Sequence, residues 1–152
     1  MKIVKAVPAD HIILSDITFK GKAYWNYDSA QMENWLPELV IGPAYIEAHK
    51  VYKLISKEEI VGYYSFLETD KNTIKLDNLF LLPEYIGLGY GKFLMHDFLK
   101  RIKETSATKI ILDADPNAEN FYKTFGFQTY NNLETSIKGR FLPQMELYVV
   151  PA

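Results

Sequence analysis

Apolar and polar positions follow two different periods along the chain, and the switches between them mark out the elements. Ile3 and Val4 lie between Lys2 and Lys5, and the run 2–7 stops at Pro8, which predicts a short strand. Asp10 or Ser15 is placed to cap a helix after it. Residues 28–40 begin with Asp28 or Ser29 as N-cap and carry Met32, Trp35, Leu36 and Leu39 at helical spacing, while Pro37 predicts an end or a kink. A second short helix is expected after Pro43. From Lys50 the period shortens: residues 51–56, 59–68 and 73–82 are β-rich runs separated by polar turns, Lys57-Glu58 and Asp70-Lys71-Asn72, and read as an antiparallel meander.

After Pro83 the chain passes through Tyr85-Ile86-Gly87-Leu88-Gly89-Tyr90-Gly91 into a stretch where Leu94, Met95, Phe98, Leu99 and Ile102 share one helical arc. Lys92, His96, Lys100 and Lys103 lie opposite, so His96 reads as a surface residue. Residues 109–113 predict a buried strand, 118–125 a short helix closed at Gly126, and 127–130 and 145–150 the final strands. This order defines an α/β chain with a mixed sheet.

Composition narrows the classes. The 152 residues read as one domain, 1–152, and the 48% hydrophobic content is enough for a full core. With 17 basic against 19 acidic side chains (17 − 19 = −2) and only two arginines, Arg101 and Arg140, no basic face for a nucleic-acid backbone is expected. The chain has no cysteine and three scattered histidines, which argues against disulfides, a cysteine nucleophile and a metal centre. No apolar run approaches the roughly 18 residues of a membrane span, and residues 1–10 lack a signal-peptide apolar region, so a cytoplasmic location is expected.

Gly87, Gly89 and Gly91 fall between a predicted strand and an amphipathic helix. Such a loop can turn its N–H groups to one point where the helix N-terminus adds partial positive charge, making a phosphate or pyrophosphate site without arginine; a tight turn without ligand is the alternative. A P-loop is excluded by Ile86 and Phe93, and the dinucleotide fingerprint by Lys92 and Leu94 at its third glycine.

The segment Leu79-Phe80-Leu81-Leu82-Pro83-Glu84-Tyr85-Ile86-Gly87-Leu88-Gly89-Tyr90-Gly91-Lys92 resembles the acetyl-CoA loop of the GCN5-related N-acetyltransferases (GNAT), Q/R-x-x-G-x-G/A. Downstream, Asp115-Pro116-Asn117-Ala118-Glu119-Asn120-Phe121-Tyr122-Lys123-Thr124-Phe125-Gly126-Phe127 is similar to that family's second signature, F-Y-x-x-x-G-F. The resemblance implies a mixed, mostly antiparallel sheet of six to seven strands, splayed and flanked by helices, in the acyl-CoA N-acyltransferase fold. It implies acetyl-CoA as cofactor, with the pantetheine arm pairing with main chain near Leu79 and Leu81. Ile86, Gly87, Leu88, Gly89, Tyr90, Gly91 and Lys92 would hold the phosphates, and Asn117, Phe121 and Lys123 would add contacts. Lys92 and Lys123 could equally solvate a helix face, and Asn117 could also cap the helix it precedes. The sequence departs from the family at Ile86, which replaces Gln or Arg. Dimers are common among such proteins, so a homodimer is a possible assembly.

Acyl transfer from a thioester to an amine needs a neutral amine, a stabilised oxyanion and a proton for the thiolate. A main-chain N–H near Leu81 can serve the oxyanion. Tyr122 takes the acid role by its place in the second signature; by residue type alone it would pack beside Phe121 and Phe125. Asp77 is the candidate base, with Glu68 in reserve, and a solvent-facing strand carboxylate is the alternative for Asp77. Tyr24, Trp25, Tyr27 and Trp35 either enclose the acceptor amine or pack the first helices onto the sheet. The expected function is transfer of an acetyl group to a primary amine of a small molecule or peptide, without metal; a non-catalytic acyl-CoA sensor or structural module is the alternative.

Overall fold

The computed structural model describes residues 1–135, 137 and 139–150. The elements run β1 (Lys2–Lys5), α1 (His11–Ala23), α2 (Ser29–Leu39), α3 (Pro43–Ala48), β2 (Lys50–Ser56), β3 (Glu59–Asp70), β4 (Thr73–Leu81), α4 (Tyr90–Lys103), β5 (Lys109–Asp113), α5 (Glu119–Lys123), β6 (Gln128–Glu134) and β7 (Phe141–Tyr148). The seven strands form one sheet in the order β1-β2-β3-β4-β5-β7-β6. Strands β4 and β5 are parallel, with rungs from Thr73↔Lys109 to Lys75↔Ile111, so the first three of β4's nine residues carry the ladder. The other registered pairs are antiparallel. The two-residue connection between β3 and β4 is too short for any other arrangement. The chain divides into two compact units, Met1–Phe66 with Asn78–Leu99, and Leu67–Asp77 with the chain from Lys100.

In the first unit, β3 alternates its side chains between two covered faces, which is why Val61 through Phe66 are all buried. On one face, Tyr63 joins Leu14, Ile17, Ile41, Ile46 and Val51 in a core, and its hydroxyl lies 2.5 Å from Thr18 Oγ1 of α1. Ser65, on the same face, is 2.8 Å from the Tyr45 hydroxyl of α3, and Asn78 Nδ2 of β4 donates to both oxygens at 3.1 Å. On the other face, the Tyr64 and Phe66 rings meet Phe98 of α4 at 5.5 and 5.4 Å, and the Tyr64 hydroxyl donates to Asp97 at 2.6 Å. The predicted arc of α4 is the buried one: Leu94, Met95, Phe98 and Ile102 are inaccessible, while Lys92, His96, Lys100 and Lys103 are exposed.

Two glycines set the position of the end of β4. A Cβ at Gly62 would lie 2.6 Å from Leu81 Cδ2 and 2.9 Å from Phe80 O; one at Gly21 of α1 would lie 3.0 Å from both Leu81 O and Phe80 Cδ1. Neighbouring backbone therefore approaches Phe80 and Leu81 more closely than any side chain permits. Leu82 N–H then donates to Val61 O at 2.9 Å, fixing the exit of the strand.

Several local expectations are corrected. Asp10 precedes α1 but does not cap it: its Oδ2 accepts from Val7 N–H at 2.8 Å and from Lys53 Nζ at 2.7 Å, closing the preceding 3₁₀ turn. Ser15 lies inside α1, where Ile41 N–H donates to its Oγ at 2.8 Å. Asp28 does cap α2, accepting from Gln31 N–H at 2.8 Å. Pro37 does not end that helix, which reaches Leu39, because a proline this near the C-terminus removes one donor and leaves the last residues free to bond.

In the second unit, β5 occupies the predicted residues, and Ile110 and Leu112 are buried. The final strands are longer and shifted toward each other, pairing from Gln128↔Glu146 to Glu134↔Phe141. Asn131, Asn132, Glu134, Pro143 and Gln144 hide this hairpin from an apolar pattern; β6 is an edge strand with no buried residue. The expected helix 118–125 shortens to Glu119–Lys123 after a 3₁₀ turn, Pro116–Ala118, and Gly126 follows at φ +96°.

Gly62→Ala should lower stability by about 1–3 kcal/mol, the usual cost of overpacking, because the added methyl meets backbone at Phe80. A denaturant midpoint equal to that of the parent chain would contradict this.

Candidate active site

The chain from Leu82 to α4 is a loop ordered by its own backbone. Tyr85 N–H donates to Leu82 O at 2.9 Å and Ile86 N–H to Pro83 O at 3.1 Å, making one 3₁₀ turn. Gly87 and Gly89 follow at φ +84° and +87°, a conformation that costs any other L-residue about 1–2 kcal/mol. Phe93 N–H donates to Gly89 O at 3.0 Å, which starts α4. The amides of Tyr90, Gly91 and Lys92 precede that first bond, so the helix gives them no acceptor of its own. The space beside Gly87 and Gly89 is open, with no atom within 4 Å of a Cβ built at either. The first-turn N–H groups of a helix, next to two glycines with open space beside them, fit a phosphate or pyrophosphate group. Tyr85 and Tyr90 brace the loop, stacked at 5.1 Å, and the Tyr90 hydroxyl lies 3.2 Å from Ser56 Oγ. Ile86 adds no polar group, Lys92 is exposed, and the Leu88 side chain projects into solvent.

On β4, alternation places Asp77, Leu79 and Leu81 on one face and Asn78 and Phe80 on the other, where Phe80 meets Tyr63. Leu81 is buried, Leu79 half-buried and Asp77 exposed. Glu68, near the end of β3, is also exposed.

Tyr122 is buried in α5, edge-on to Phe121 at 5.2 Å and to Phe127 at 5.9 Å. Phe121 in turn meets Phe125 at 5.2 Å. Burial, and secondarily the negative charge of Asp115, hold the Tyr122 phenol well above the ordinary tyrosine range. Asp115 and Arg140 are participants that the motifs alone did not single out. Asp115 Oδ1 accepts from Asn117 N–H and from Asn117 Nδ2, each at 2.9 Å, and Oδ2 lies 3.5 Å from Arg140. The cap of this turn is thus Asp115 and not Asn117, whose carboxamide is oriented by it; the Asp-Pro-Asn order was the available signal. Lys123 is exposed, 3.9 Å from Glu119.

The four aromatics of the first helices form two pairs. Tyr24 and Trp25 are exposed and meet edge to face at 4.9 Å; Tyr27 and Trp35 meet at 4.8 Å and 81°. Lys22 Nζ stands 5.2 Å from the Tyr27 centroid and 4.9 Å from that of Trp35. Among the described residues no group of three His, Asp or Glu side chains is arranged to hold a metal, and no helix is long and apolar enough to cross a membrane.

A mixed seven-stranded sheet with a glycine loop leading into α4 is the acyl-CoA N-acyltransferase fold, and solved structures share it along nearly the whole chain. The PaiA N-acetyltransferase of Thermoplasma acidophilum, solved with coenzyme A, superposes with a TM-score of 0.79 at 18% identity, covering 97% of this chain and 98% of that one. A GCN5-related N-acetyltransferase of Rhodopseudomonas palustris gives 0.80 at 20% identity, covering 97% and 95%. The family model of the GNAT acetyltransferase domain matches residues 23–149, and the chain belongs to that family. It is 27% identical over 92 residues to the uncharacterized N-acetyltransferase ycf52 of Gracilaria tenuistipitata var. liui, covering 60% of this chain and 50% of the relative. The matched region thus spans about half the length of such curated relatives.

The Tyr122 shift has a definite pH sign. Below the ordinary phenol value near 10 both folded and unfolded chains keep the proton, and nothing is lost. Above it the unfolded chain ionises while folded Tyr122 does not, so stability falls as pH rises. Tyr122→Phe should flatten that alkaline decline in a series of denaturant midpoints from pH 9 to 11; an equally steep decline would remove the assignment.

Proposed function

We propose that this chain transfers an acetyl group from acetyl-CoA to a primary amine by direct attack on the thioester. The observation that carries this reading is the pair of open positive-φ glycines, Gly87 and Gly89, leading into the first turn of α4 in a chain of the GNAT family. Acetyl-CoA would supply the thioester, with its pyrophosphate held by the amides of residues 87–92 and with Lys92 nearby. Main chain at Leu79 and Leu81 would pair with the pantetheine arm. Asn117, with its carboxamide turned by Asp115, would add contacts together with Phe121 and Lys123.

The new N–C bond forms as the C–S bond breaks, one proton leaves the amine and one reaches the thiolate. Leu81 N–H stabilises the carbonyl oxygen as charge grows there, and being a fixed dipole it reorganises little. Tyr122 hydrogen-bonds the sulfur or protonates it; burial keeps the proton on its phenol, so it meets the departing thiolate as a donor. Asp77, through water, takes the amine proton, with Glu68 as the alternative carboxylate. No metal and no covalent enzyme intermediate enter. The acceptor meets the chain at the aromatic pairs Tyr24–Trp25 and Tyr27–Trp35. In this reading residues 1–152 act as one domain.

Acetyl-CoA at 100 times its dissociation constant should stabilise the fold by about 2.7 kcal/mol, read by thermal denaturation. Gly89→Val should weaken that binding, as the backbone leaves the left-handed region; unaltered affinity would remove the loop from the site. Tyr122→Phe should reduce thiol release by roughly 10²–10⁴ where chemistry limits the rate, with acetyl-CoA affinity retained. Binding with no turnover across amine classes would instead favour the acyl-CoA sensor.

A further inference from the structure

At the C-terminal end of α1 the chain sets one of its own ammonium groups against two aromatic rings. Lys22 Nζ lies 5.2 Å from the Tyr27 centroid and 4.9 Å from the Trp35 centroid. Those rings stand nearly perpendicular, 4.8 Å apart at 81°. A corner of this kind attracts one cation through two ring quadrupoles together. The adjoining helix reinforces the preference: α2 is capped by Asp28, carries Glu33 and Glu38, and has no lysine or arginine. The residue before Lys22 meets the strand assigned to the thioester. Gly21, next in sequence to Lys22, touches the end of β4, where a Cβ would stand 3.0 Å from Leu81 O.

We propose that the Tyr27–Trp35 corner binds a second, cationic nitrogen of the acceptor, which displaces Lys22, so that the acceptor is a diamine or polyamine. This rests on the acetyltransferase reading above. The attacking nitrogen must be neutral, and a neutral amine gains little from a ring face, so the group in the corner is another nitrogen that stays protonated. An alkylamine with pKa near 10 meets that requirement at pH 7. Lys22 is the internal stand-in for such a group: an alkylammonium on a flexible stem, tethered where the substrate's would sit.

Initial rates with 1,4-diaminobutane and butylamine at saturating acetyl-CoA test this. The parent chain should prefer the diamine. Trp35→Ala should raise the diamine KM about 2- to 30-fold, the span between exposed and desolvated cation–π contacts, with a smaller change in the butylamine KM and the acetyl-CoA KM in place. Lys22→Met should lower the diamine KM by removing the internal competitor. If Trp35→Ala shifts the thermal midpoint, Tyr27→Leu and Lys22→Met carry the comparison. Equal KM values for the two amines in the parent chain, or a diamine KM unmoved by these substitutions, would overturn the corner while thiol release left the transferase reading standing. Absence of both acetyl-CoA binding and thiol release would overturn that reading, and the corner with it.

Discussion

The end of β4 is wedged between two residues that have no side chain. Gly62 on the neighbouring strand and Gly21 on α1 bring backbone against Phe80 and Leu81 at distances a methyl group would violate. The proposed oxyanion and phosphate contacts begin at that point along the chain: the main chain at Leu81, the turn after Leu82, the glycine loop and the start of α4. The same closeness places the end of α1, which carries Lys22, beside the strand.

The loop solves an electrostatic problem that composition poses. The net charge is −2, and of two arginines one, Arg140, is committed to Asp115. What residues 86–91 offer an anion is therefore main-chain dipoles, with Lys92 next along the chain. Positive φ at Gly87 and Gly89 opens the space, and the first turn of α4 supplies donors that a helix leaves unpaired in any case. Ile86 in place of a polar residue removes a side-chain contact but none of these amides.

The parts of the fold legible in sequence are those where one physical signal dominates. The arc of α4 was readable because Leu94, Met95, Phe98 and Ile102 are buried together, and β5 because Ile110 and Leu112 are. The β6–β7 hairpin was not, because an edge strand with polar residues on both sides lacks a period, and Pro143 argues locally against a strand. Asp10 shows a second limit: its carboxylate had to choose between the helix ahead and Val7 with Lys53 behind, and tertiary partners decided. At the site, Gly87, Gly89 and Tyr122 announced themselves through motifs. Gly21, Gly62 and Arg140 did not, since their importance lies in what the folded chain brings beside them.

The Tyr45–Ser65–Asn78 cluster draws one hydrogen-bonding partner from each of α3, β3 and β4. Ser65 is fully enclosed, so losing one neighbour leaves its hydroxyl a single partner in the cluster and losing both leaves it none there. Free energies of single replacements among these three residues therefore do not sum. Sequence drift at these positions is expected to be concerted, with the trio kept whole or exchanged together for apolar residues of matching volume.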